Sequence, residues 1–155
     1  WVYFFYIIGR NKMKKVRRLL FILHIIVAIG AVSGGLAAIT NPSEPLGVSV
    51  ELLKNSPFTD YLIPGIILFS VIGLGNIISA LTLHFIPRLQ GYVSSVFGWA
   101  LVIWIIVQCL MLDNIIFLHV LFFFIGLIQG VLSMKILFHQ NLFPANIIRR
   151  SRKAQ

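Results

Sequence analysis
Few residues in this 155-residue chain could do chemistry, and they fall into two sets. The first is Asp60, Gln108 and His119. A carboxylate and an imidazole can serve as a general acid–base pair, provided both come within hydrogen-bond reach of a substrate atom. The second set is His24, Asn76, Gln129 and Ser133, polar side chains embedded in long apolar runs. Other chemistries are excluded by composition. Cys109 is the single cysteine, so thiol–disulfide exchange within one chain cannot occur. The four histidines, at positions 24, 84, 119 and 139, lack zinc-like spacing, and no metal or other cofactor is expected. No Asp, Glu, Lys or Arg lies in the middle of an apolar run, which counts against a proton-coupled pump built on a buried carboxylate.

These residues are positioned by an unusual scaffold. The chain is 59% hydrophobic and 11% charged, whereas a soluble domain is about 25% charged. The apolar residues fall in four blocks, 19–40, 61–83, 92–112 and 115–134. Each has the length of about 20 residues that crosses roughly 30 Å of hydrocarbon. Water is absent there, so each block must satisfy its own backbone, and each is expected to be a helix. The joints 84–91 and Asp113–Asn114 are short, which makes successive helices antiparallel neighbours. The expected fold is all-α: a four-helix transmembrane bundle of up-down topology.

Charge placement sets the expected orientation. With the N-terminus cytoplasmic, twelve of the thirteen basic residues fall on the inner side, and only Lys54 falls outside. Lys and Arg in short loops prefer that side. All four acids, Glu44, Glu51, Asp60 and Asp113, fall outside. Both termini are therefore expected in the cytoplasm, with a basic segment 1–18 before the helical domain 19–134 and a basic tail 135–155 after it. The net charge of +9 then points to anionic lipid at the inner face rather than to nucleic acid. The string "MKKVRRLLFILHIIVAIG" reads as a natural start, so Met13 is taken as the first native residue and 1–12 as foreign to it. The competing reading makes 1–12 an interfacial segment, too short to span.

Counting from the helix ends puts the two polar sets at two depths. Gln108 lies five residues before Asp113 and His119 five after Asn114, both near the outer surface with Asp60. His24, Asn76 and Gln129, with Ser133 one turn further, fall in the inner half. Such layers serve either as hydrogen bonds between helices, about 0.6 kcal/mol each, or as an outer vestibule and an inner exit for a small solute. Small residues recur every four positions: Gly30, Gly34 and Ala38, Gly126 and Gly130, with Gly73, Asn76 and Ala80 on a third helix. They fit close packing.

The loop 41–60 contains "VSVELLK", expected to form a turn or two of interfacial helix with Val50 and Leu53 toward lipid. It ends in "NSPFTDYLIPG". Thr59 or Asp60 can cap the next helix, Pro64 suits a first turn, and Tyr61 suits headgroup level. Asn41-Pro42-Ser43, followed by Ser56-Pro57-Phe58-Thr59-Asp60-Tyr61 and Pro64-Gly65, resembles a motif of a group of small bacterial four-helix integral membrane proteins with no assigned activity. The resemblance implies a bacterial inner membrane, and no reaction. Small multidrug exporters differ by a glutamate in their first helix, and thiol oxidoreductases and tetraspanin-like proteins by their cysteines. Three functions follow as expectations. The first is a non-enzymatic accessory or structural component, with a membrane protein or a second copy as partner. The second is an oligomeric small-solute transporter or channel subunit, and the third an intramembrane enzyme with its site at the outer mouth.

Overall fold
The structure is a computed structural model that describes residues 2–54, 56–86, 88–112 and 115–140, with side chains from Lys12 onward. The chain forms an all-α four-helix bundle: α1 (Val2–Thr40), α2 (Leu62–Phe85), α3 (Gln90–Leu112) and α4 (Phe117–His139). All four helices are long and apolar enough to cross a membrane, as befits a multi-pass membrane protein. The surface agrees. Ile29, Ile103, Leu110 and Val131 are exposed, while His24, Asn76, Gln90 and Gln129 are fully buried. A chain solvated by lipid tails gains nothing by hiding leucine and must pair its polar groups inside.

Observed boundaries differ from the expected blocks in informative ways. α1 runs unbroken from Val2, so its described backbone makes no break at Met13. α4 continues five residues past 134, carrying the exposed Lys135 on its last turns. The Asp113–Asn114 joint and the tail 141–155 lie outside the described residues. The loop also departs from expectation. Val50–Leu53 is a single 3₁₀ turn, and Leu53 is buried against Ala38, Tyr61 and Met111 rather than turned to lipid. Leu53 thereby covers the ends of α1 and α3 and is removed from water by the protein itself.

The helices pack as two hairpins. In the first, α1 and α2 approach backbone to backbone. A Cβ on Gly35 would lie 2.7 Å from the Phe69 nitrogen, and one on Gly65 2.6 Å from the Ala38 Cβ. Only glycine permits that separation. In the second, Gly98 meets Gln129 and Gly130, Gly126 meets Val102, and Gly91 meets Leu137, which pairs α3 with α4 along their length. Between the hairpins sits an apolar core of Val27, Ala31, Ile72, Leu101, Trp104 and Ile105. Below, "loop end" denotes the end carrying residues 41–60. "Basic end" denotes the other, where Met13, Val16 and Leu20 meet Ile136.

α2 is not a regular helix. Leu68–Leu74 is π-helical, between α-helical Leu62–Ile67 and Gly75–Phe85. A π segment adds a residue to the turn and rotates everything after it. Here it turns Asn76, Ser79, Ala80 and Thr82 inward, all of them buried. Gly73 and Gly75 make room for it: a Cβ on the first would press on Val32 at 2.9 Å, and one on the second would overlap the Phe97 ring.

Candidate functional site
The residues at the loop end build a cavity of about 260 Å³ between the two hairpins. Gly30, Gly34, Ala38 and Gly65 form one wall, Leu101, Trp104, Ile105 and Phe122 the other, and Val27 and Ile72 the floor. The wall is open because Gly34 has no side chain; a Cβ there would touch only Leu68, at 3.4 Å. The mouth carries the polar groups Gln108, His119 and Tyr61. Leu46 lines it too, held in the left-handed region at φ 54°, ψ 28° with most of its side chain exposed. That conformation is unfavourable for a residue with a γ-branched side chain.

Gln108 and His119 thus share one lining, as counting from the helix ends placed them. His119 also helps start α4, since its Nδ1 accepts the Ile116 N–H at 3.5 Å. Asp60, the third member of that set, does not line the cavity. Its carboxylate accepts the Leu62 N–H at 2.9 Å, on a free donor at the start of α2. The surrounding motif serves the same purpose. Pro42 O accepts the Tyr61 N–H, Ser56 Oγ accepts the Phe58 N–H, and the Tyr61 hydroxyl donates to Ser49 O at 3.0 Å. Burial raises the Tyr61 pKa above its ordinary value of 10. These bonds fasten the loop over the hairpin ends. Among the described residues no three His, Cys, Asp or Glu side chains gather as a metal site would require.

One turn below the cavity floor lies the second set. His24 Nδ1 and Asn76 Oδ1 are 2.6 Å apart, and Gln129 Nε2 lies 3.1 Å from each of them. Donor and acceptor roles follow from a single constraint. The Ile72 carbonyl can only accept, so the group 2.8 Å from it is the Asn76 amide nitrogen. Asn76 Oδ1 therefore faces the other way and accepts from both His24 and Gln129. The imidazole proton is on Nδ1, leaving Nε2 with a lone pair, and Gln129 Oε1 points away from the cluster. Ser133, the fourth member, is buried and donates to Gly130 O at 2.8 Å rather than to the other three.

Four further buried polar residues extend this set toward the basic end: Ser79, Thr82, Gln90 and Ser94. Ser94 lies one turn from Gly98, which packs on Gln129, and Gln90 lies one turn beyond Ser94. Ser79 and Thr82 donate to their own helix, to Gly75 O and Ser79 O. The spacing of Gln90, Ser94 and Gly98 at four-residue intervals was visible in the sequence. Gln90, however, falls within the expected joint 84–91, and Ser94 by itself reads as a small residue suited to close packing. Five atoms of the extended set are buried without a partner among the described residues: His24 Nε2, Gln129 Oε1, Ser94 Oγ and both Gln90 amide atoms. Each such group costs about 1–3 kcal/mol, against a typical net stability of about 5–15 kcal/mol. Stability alone gives no reason for a bundle to keep them. Comparison of the chain with protein-family models, with curated proteins and with solved structures finds no match in any of the three.

Proposed function
We propose that this chain is a non-enzymatic accessory protein of a bacterial inner membrane, which lodges the apolar part of a membrane amphiphile between its two hairpins. The observation that carries this reading is the cavity: an apolar slot, walled by small residues, whose lining includes only Gln108, His119 and Tyr61 as polar side chains besides the Trp104 indole. Ligand sites combine apolar walls with a few orienting polar groups in this way. A tail would fill the slot while its polar head met Gln108, His119 and Tyr61. An acid–base enzyme finds less support, because Asp60 is occupied at the start of α2 and stands outside the lining.

In this reading the helices run up-down with both termini cytoplasmic and the loop end outside. Lys12, Lys14, Lys15, Arg18, Arg88 and Lys135, all exposed, then lie beside anionic headgroups. The second reading, a small-solute transporter or channel subunit acting as an oligomer, is favoured by one observation, the unpartnered polar groups between the hairpins at the basic end.

The test is native mass spectrometry of the protein released from its own membranes, beside a Gly34→Phe variant. That ring would enter the slot from a position where a Cβ is tolerated. The reading requires a co-purifying amphiphile with wild-type protein and its loss in Gly34→Phe. Equal retention by both refutes it. A C-terminal reporter found outside the cytoplasm refutes the orientation.

A further inference from the structure
We propose that the interface between the hairpins at the basic end is a hydration site. A row of waters there reaches from the aqueous phase beside Gln90 to His24 in the middle of the bundle. The groups that would bind it are on the page. His24 Nε2 and Gln129 Oε1 are acceptors, Ser94 Oγ can donate and accept, and Gln90 offers a carbonyl and an amide; all are buried and without a partner among the described residues. They come from three helices, and helix spacing stacks them at three successive levels. His24 and Gln129 form the first, Ser94 the second, and Gln90, the first residue of α3, the third.

Hydroxyls line the same levels. Ser79, Thr82 and Ser133 spend their protons on backbone carbonyls, so their oxygens remain able to accept. None of the side chains in this track is charged, which suits water rather than an ion. Water bridges buried polar groups when it finds two to four partners, and each level supplies that many.

The track follows the boundary between the hairpins, beside the apolar contact of Met13, Val16 and Leu20 with Ile136. Within each hairpin glycines bring backbones together, at Gly35 and Gly65 in one and at Gly98 and Gly126 in the other. The polar groups lie across the boundary between the two: His24, Asn76, Ser79 and Thr82 on one side, Gln90, Ser94, Gln129 and Ser133 on the other. The hairpins already stand apart at the loop end, where the cavity lies, and Val27, Ile72 and Leu101 separate the two regions. A small parting at the basic end admits water to groups that gain partners by it. The track therefore gives one face of the membrane aqueous access to mid-bundle, and it does so whether or not the cavity holds an amphiphile.

The measurement is transfer of magnetisation from water protons to histidine ring nitrogens, by solid-state NMR on ¹⁵N-histidine-labelled protein in bilayers. His24→Asn identifies the His24 signal. Hydration predicts transfer from water to the His24 ring, and its loss in the Gln90→Leu/Ser94→Ala double variant. A His24 ring isolated from water, while the exposed His139 exchanges freely, overturns the proposal. So does undiminished transfer in the double variant. A thermal scan of Gln90→Leu reports independently. Removing a dry, unpartnered amide raises the Tm and counts against the waters; removing one that holds them lowers it.

Discussion
Asn76 is the residue on which the interior network depends, and replacing it has a calculable effect. Asn76→Leu keeps the side-chain volume and removes one oxygen that accepts from two helices, from His24 on α1 and Gln129 on α4. At an average of about 0.6 kcal/mol per interhelical bond, the loss would be only about 1.2 kcal/mol. That average assumes the former partners find others. Here His24 Nδ1 and Gln129 Nε2 are fully buried, and they can bond to each other only if the imidazole proton moves to Nε2, itself buried without a partner among the described residues. The net loss of one interhelical bond, about 0.6 kcal/mol, plus one orphaned ring donor at about 1–3 kcal/mol raises the estimate to ~2–4 kcal/mol. Gln129→Met and His24→Leu each remove one donor and leave the Asn76 oxygen served by the other, so each should cost about 1 kcal/mol. The assay is reversible unfolding in bicelles or by steric trapping, with all three variants compared under one condition. The reasoning is refuted if Asn76→Leu costs no more than either of the others. The triple apolar variant sharpens the point: with no donor left to orphan, it should be more stable than Asn76→Leu alone.

Other consequences are read more simply. Gly35→Leu places a side chain on the Phe69 backbone and should separate the first hairpin, lowering stability by more than ~3 kcal/mol in the same assay. Asp60→Ala removes the acceptor of the Leu62 N–H and should cost about 0.5–2 kcal/mol, whereas Asp60→Asn should cost a few tenths; equal losses would mean that charge, not the bond, matters. Tyr61→Phe deletes the bond to Ser49 O, so amides of residues 48–54 should exchange faster with deuterium. Tyr61 also gives a pH signature. Its folded pKa is raised, so its contribution is intact below the unfolded value of about 10 and is lost as pH climbs from there through the folded value. Wild-type protein should lose that increment at alkaline pH, and Tyr61→Phe should not.

Hydropathy made the four helices legible, because lipid allows few alternatives to a helix once a run of about twenty apolar residues is present. Helix ends were less so. Gln90 and Gly91 look like joint residues beside Pro87 and Arg88, yet α3 begins at Gln90, which is how a buried amide was missed. Leu53 looked amphipathic with Val50, but its burial depends on Met111, some sixty positions away, which no local pattern encodes. Depth counting placed His24, Asn76 and Gln129 at one level, since a helix advances evenly. That they converge on one oxygen depends on the π turn at Leu68–Leu74, and Gly73 within it and Gly75 just after it do not announce it. The cavity was illegible for a related reason. Gly30, Gly34 and Ala38 read as one packing stripe; the structure packs Ala38, with Gly35, on α2, but leaves Gly34 facing open space.

The most direct test of the account is photo-crosslinking in native membranes with an acyl chain carrying a diazirine near its end, followed by peptide mapping. The account predicts adducts on cavity residues such as Leu68, Leu101 and Phe122, competed away by the Gly34→Phe ring. Adducts confined to outward-facing residues such as Ile103, Leu110 and Val131, unchanged by Gly34→Phe, would contradict it.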